Sequence, residues 1–160
     1  AARVYMTEKH PGRIQKLLEL GATEVFNVKE VDVLEEIMKR TDRLGVDVAI
    51  ECTGSESGIN LCFDAMRKQG CYVQSGLSLG EVKVRPWQWA LKDIKMIGLW
   101  CCNPYDYDNI IKLVADNRID VTKLITKHIA LEDVVTEGFE CLARNKEKKE
   151  MKIQVICNED

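Results

Sequence analysis

No apolar stretch in these 160 residues approaches the length needed to cross a membrane. The N-terminus also lacks the charged-then-apolar order of a secretory leader. Among seven cysteines there is no CxxC pair, so neither a zinc ribbon nor a thioredoxin-type motif is supported. The odd, scattered set of Cys52, Cys62, Cys71, Cys101, Cys102, Cys141 and Cys157 reads as free thiols, several in apolar runs where cysteine behaves as a small hydrophobe. A reducing, cytoplasmic setting is expected. Basic excess is missing too: the formal charge of −3 argues against nucleic acid as a partner. The longest basic run, Arg144-Asn-Lys-Glu-Lys-Lys-Glu-Met-Lys152, is broken by acids and reads as a solvated surface turn. There is no internal repeat and no low-complexity linker.

What is present is an alternation of short apolar runs with amphipathic segments. That pattern predicts βα units and a mostly parallel sheet with flanking helices, an α/β fold. Arg3–Thr7, Glu24–Val28, Val46–Cys52, Cys71–Ser75, Ile94–Cys101, Leu124–Ile129 and Lys152–Cys157 read as strands, and Val82–Val84 as a short extended piece. Helices are expected from Pro11 to Gly21 with Ile14, Leu17 and Leu18 on one face, and around Leu34, Ile37 and Met38, closing near Thr41. Further helices are expected from Ser55 to about Lys68 with Gly70 as the stop, over Pro86–Leu91, from Pro104 with Ile110, Ile111 and Val114, and over Glu132–Ala143. Proline at a first helical turn and serine as an N-cap support four of these starts.

In an open parallel sheet, ligands bind at the carboxyl ends of the strands. Glu8 stands at the first such end. An acid there accepts both hydroxyls of an adenosine ribose and repels a 2′-phosphate, which selects NAD over NADP. Arg13, five residues on, can reach the same ribose or the adenine edge. Thr53 and Gly54 end the next long strand, Gly76 and Leu77 the one after, and Trp100-Cys101-Cys102 the last. Small residues at these points let backbone approach a cofactor closely. His10 and His128 have no partner in the sequence pattern and receive no acid–base role.

The ordered stretches Ala2-Arg3-Val4…Glu8…Arg13, Leu20-Gly21-Ala22-Thr23-Glu24-Val25, Gly45–Gly54, Gly70…Gly76-Leu77, Ile119–His128 and Leu131…Phe139 resemble the coenzyme domain of the zinc-dependent medium-chain alcohol and polyol dehydrogenases. The likeness is strongest to the sorbitol, butanediol and threonine dehydrogenase branch. It covers nearly the whole chain. It implies NAD as cofactor, with Glu8 and Arg13 at the adenosine ribose and Thr53, Gly54, Gly76 and Leu77 lining the adenine and nicotinamide riboses. Backbone at Leu99–Cys101 would meet the nicotinamide amide. It further implies a small alcohol or polyol as substrate, a homodimer or tetramer, and a zinc ion bound by a catalytic half not contained in these residues. Residues 1–150 would be a partial NAD-binding domain, and 151–160 a strand returning to that half.

The departures from the family are as informative. There is no GxGxxG, so the Rossmann-type sheet lacks its first strand and glycine loop, and no helix N-terminus with that loop receives the pyrophosphate. In this topology the absent strand would leave a gap of about 10 Å, two strand spacings. The chain is therefore expected to be a piece of a longer protein or to fill the gap from a partner, and to be inactive alone. Cys101 and Cys102 are adjacent on a strand and point to opposite faces, which is poor geometry for one tetrahedral metal; one core and one surface cysteine is expected. Two other readings remain open: a non-catalytic nucleotide-sensing module, and an oligomer-assembly module that binds no NAD.

Overall fold

The computed structural model describes residues 1–144 and 150–157. Most of the basic turn expected at Arg144–Lys152 lies outside them. The chain divides into two compact units, residues 1–31 with 104–160, and residues 32–103. Every strand pair in either unit is parallel, as the βα alternation requires.

In the first unit, β1 (Tyr5–Glu8) pairs with β2 (Glu24–Asn27), with α1 (Pro11–Glu19) connecting them. Pro11 sits in the first turn of α1, and Gly21, at φ +101°, follows its end. Ile14 and Leu17 are half-buried on the sheet side, whereas Leu18 is exposed. Tyr5 and Phe26 meet with ring centroids 5.9 Å apart. The same unit contains α5 (Pro104–Ala115), β6 (Ile125–Ala130) and β7 (Lys152–Ile156), the last two paired in parallel. On α5 the expected apolar face is shifted: Leu113 and Val114 are half-buried, and Ile110 and Ile111 are exposed. The helix expected over Glu132–Ala143 is not uniform. It opens as a tight 3₁₀ turn at Leu131–Asp133, widens to π geometry over Val134–Glu140, and returns to α at Cys141–Arg144. The wide turn seats Gly138 on Ile129, where a Cβ would stand 3.2 Å from Cδ1.

The second unit is a three-stranded sheet in the order β3-β4-β5, from β3 (Val46–Glu51), β4 (Met66–Gln74) and β5 (Lys95–Gly98). It carries α2 (Val33–Arg40), α3 (Glu56–Ala65) and α4 (Pro86–Lys92). Asp32 caps α2 by accepting from the Glu35 N–H at 3.1 Å, and Ser55 caps α3 by accepting from the Gly58 N–H at 3.1 Å. The core joins Ala49, Ile59, Phe63, Met66 and Tyr72, with Trp89 and Ile94 packed against it. Phe63 stacks on Tyr72 with centroids 4.4 Å apart.

Three sequence expectations need correction here. Helix α3 ends at Ala65 rather than near Lys68, and the chain enters β4 at Met66. The cause is Lys92, whose ammonium donates to the carbonyls of Phe63 (2.6 Å), Asp64 (2.9 Å) and Met66 (2.7 Å) and takes over the helix end. Val82–Val84 joins no sheet. Side chains of α3 hold it instead: the Lys83 N–H donates to Glu56 Oε2, and Asn60 Nδ2 donates to the Lys83 carbonyl. The strand expected at Ile94–Cys101 spans only Lys95–Gly98. Its alternation therefore stops short of the Cys pair, and Cys101, in the left-handed region at φ +52°, and Cys102 are both exposed rather than one buried.

Candidate functional site

Glu8 closes β1 with its side chain mostly buried. One carboxylate oxygen, Oε1, accepts the N–H of Lys9 at 2.7 Å and of His10 at 2.9 Å. The acid thus caps the turn that enters α1 and is held in one orientation. The other oxygen, Oε2, stands 4.0 Å from Arg13 Nη1, while Arg13 Nη2 donates to the Glu150 carbonyl at 3.4 Å. The sequence reading of Glu8 and Arg13 as neighbours at a strand end holds within this unit. His10, placed by its N–H on Glu8, is half-buried beside it.

In the second unit the strand ends converge on a residue that the sequence reading passed over. Glu51, the last residue of β3, is 2 % exposed. Its Oε1 accepts the Thr53 N–H at 2.8 Å and the Thr53 hydroxyl at 2.5 Å. Its Oε2 accepts the Gly54 N–H at 2.8 Å and Gln74 Nε2 at 2.9 Å. The Glu51 carbonyl receives the N–H groups of Ser75 and Gly76, both at 2.8 Å. Gln74 Nε2 also donates to the Gly76 carbonyl at 2.6 Å, and Gln74 Oε1 takes the Tyr72 hydroxyl. The Leu99 N–H donates to the Gln74 carbonyl at 2.9 Å. Thus Thr53, Gly54, Gly76 and, through Gln74, Leu99 are tied to one buried acid.

Two glycines make this closeness possible. Gly54 adopts φ +67°, and a Cβ on it would strike the Leu77 carbonyl. A Cβ on Gly76 would meet Glu51 Oε2 and the backbone of Thr53 and Gly54. Thr53 and Leu77 are exposed, Leu77 at 62 %, and so are Leu99 and Cys101. Cys101 lies past the end of β5.

Burial alone pushes the Glu51 carboxyl up. The bonds from the Thr53 hydroxyl, the Gly54 and Thr53 N–H groups and Gln74 outweigh it and hold the group below the usual carboxylate range. Around it, burial and the charge of Glu51 raise the Cys62 thiol to about 12 and, together with the charge of Cys62, the Tyr72 phenol to about 12. Both therefore stay protonated near neutrality. Among the described residues, no group of three or more His, Cys, Asp or Glu side chains is arranged for a metal. The arrangement can bind and orient a ligand with backbone and hydroxyl groups; it offers no residue set for a metal-borne step.

Parallel strands linked by helices, with an acid, small residues and tightly joined loops at their carboxyl ends, define a dehydrogenase-type α/β domain. Residues 1–116 match the model of the zinc-binding dehydrogenase family, and the chain belongs to that family. It is similar to (R,R)-butanediol dehydrogenase of Neisseria gonorrhoeae, 32% identical over 158 residues, covering 98% of this chain and 43% of that relative. The crystal structure of 2R,3R-butanediol dehydrogenase from Bacillus subtilis superposes with a TM-score of 0.90 at 31% identity, covering 99% of this chain and 44% of that one. A structure from Sinorhizobium meliloti 1021, bound to NADP, shares the fold at a TM-score of 0.85 and 24% identity, over 98% of this chain and 46% of that one. The chain thus spans less than half the length of the relatives it matches here.

The reason sequence reasoning missed Glu51 is visible in retrospect. It sits at the end of an apolar run that reads as a strand, although an acid at the last position of such a strand must find donors. Three of the four donors it finds, two on Thr53 and one on Gly54, are within three residues, which was a readable signal.

Proposed function

We propose that this chain forms the nicotinamide-dinucleotide-binding part of an oxidoreductase acting on a secondary alcohol or polyol, with NAD as the preferred coenzyme. The observation that carries the reading is the fixed carboxylate of Glu8. Its Oε1 is engaged by two backbone N–H groups, so the side chain cannot swing away, and Oε2 remains to accept ribose hydroxyls. Arg13 beside it steadies the negative charge. A 2′-phosphate placed there would meet the carboxylate at close range in a partly buried setting.

The adenine and nicotinamide riboses are assigned to Thr53, Gly54, Gly76 and Leu77, with the backbone at Leu99–Cys101 for the carboxamide. The glycine pair supports this assignment, because it lets the two loops close on each other at the strand ends. When bound, the nicotinamide ring accepts hydride from the alcohol carbon. The zinc ion that such a reaction uses to polarise the alcohol oxygen is assigned to residues beyond those described. The domain division, a cofactor domain over 1–150 and a connecting strand over 151–160, belongs to the same proposal, as does assembly into a homodimer or tetramer.

The test is a pair of titrations. NADH and NADPH affinities are measured by quenching of tryptophan emission, for the parent chain and for Glu8→Ser. The parent should favour NADH. The variant should bind NADH about tenfold more weakly, the size of one lost charged hydrogen-bond pair, and the gap to NADPH should narrow. An unchanged ratio would make Glu8 only a cap for the turn into α1.

A further inference from the structure

The four groups that donate to the Glu51 carboxylate all lie at or beyond strand ends: Thr53 twice, Gly54, and Gln74, the last residue of β4. None belongs to the interior of a strand or helix. An apolar side chain at this buried position would complete the core at lower cost, since a buried carboxylate has to be desolvated before its bonds repay it. What the acid adds is a fixed relation between two loops. Cys52–Ser55 is bound through both carboxylate oxygens. Ser75–Leu77 is bound through Gln74 and through the Glu51 carbonyl.

We propose that Glu51 is a positioning residue for the nicotinamide half of the cofactor. Its carboxylate sets the spacing of the two loops. This rests on the cofactor reading given above and deepens it. Thr53 Oγ1 gives its only proton to Glu51, and it accepts the Ser55 N–H at 3.0 Å. The Ser55 hydroxyl, 2.7 Å away, then donates to the same oxygen, so the Glu51 carboxylate fixes the proton order of the whole Cys52–Ser55 turn. Glu51 itself touches no ligand; it acts through Thr53, Gly54 and Gln74.

The experiment compares NADH with AMP, which lacks the nicotinamide and its ribose. Affinities are measured for the parent chain, Glu51→Ala and the isosteric Glu51→Gln, together with the emission maximum of bound NADH, which reports the surroundings of the nicotinamide. NADH should bind about tenfold to a hundredfold more weakly to Glu51→Ala, with its emission shift lost, while AMP affinity stays within about twofold. Glu51→Gln keeps one acceptor oxygen and should recover part of the loss; it also carries the test if the alanine variant does not fold. Equal losses for NADH and AMP, or no loss of either, would overturn the proposal and leave Glu51 as scaffold. A parent chain that binds AMP but gives no NADH-specific signal would overturn it too. A parent that binds neither ligand would instead sink the cofactor reading and this inference with it, so the two failures are told apart.

Discussion

Glu51 is also the residue whose titration should show in the stability of the fold. Its carboxyl is held below the ordinary range in the folded chain. A depressed carboxylate contributes stability that is fully present above the unfolded-state value and is lost as pH falls through the folded value. Urea unfolding of the parent and of Glu51→Gln should therefore differ most at pH 7, and the difference should shrink from about pH 4.5 downward. A gap that is the same at pH 7 and pH 3 would mean that the acid is not ionised in the fold. Gly54 gives a second residue-scale expectation. Gly54→Ala forces a side chain at φ +67° against the Leu77 carbonyl. A loss of more than about 1 kcal/mol in unfolding free energy should follow, together with a loss of NADH binding. Thermal and urea unfolding measure the first and the same titration the second; a variant as stable as the parent would mean that the loop yields without strain.

At the scale of elements, much of the fold was legible, and three of the misses share one cause. Pro11, Pro86 and Pro104 each stand in the first turn of the helix they were expected to open, and Ser55 caps α3. These are local signals, carried by residues within one turn of the feature. The early end of α3 depends on Lys92, twenty-six residues beyond Met66 in sequence. The loose Val82–Val84 segment depends on Glu56 and Asn60. The Glu51 group needs Gln74, twenty-three residues away, to be complete. Sequence pattern shows the need for a partner but not which distant residue meets it. Lys92 therefore carries its own test. Burial lowers its pKa, with Asp64 pulling the other way, and its ammonium serves three carbonyls. Lys92→Met keeps the stem and removes the donors, and it should cost about 2–3 kcal/mol in urea unfolding. A cost within about 0.5 kcal/mol would show that water serves those carbonyls as well.

At the scale of the whole molecule, exposed apolar surface is the unresolved demand of this chain. Parallel sheets are covered on both faces in stable folds. Here β3 buries Ala49 and Glu51 on one face and leaves Val48 at 52% and Ile50 at 61% exposed on the other. Strand β5 is an edge of its sheet, with Met96 47% exposed and Trp100, just beyond it, 74% exposed. An apolar edge strand recruits a partner strand. Self-association through β5 is therefore expected, extending the β3-β4-β5 sheet across two copies. Met96→Lys places a charge on that edge at a position the single chain leaves half open, so it should shift a dimer toward monomer in sedimentation without lowering the unfolding midpoint. Amide exchange supplies the second arm. Pairing through β5 should slow exchange at Lys95–Gly98 in the dimer relative to the variant. If protection rises at Val46–Glu51 instead, association runs through the open side of β3. A parent that sediments as a monomer would remove the β5 contact from the account altogether.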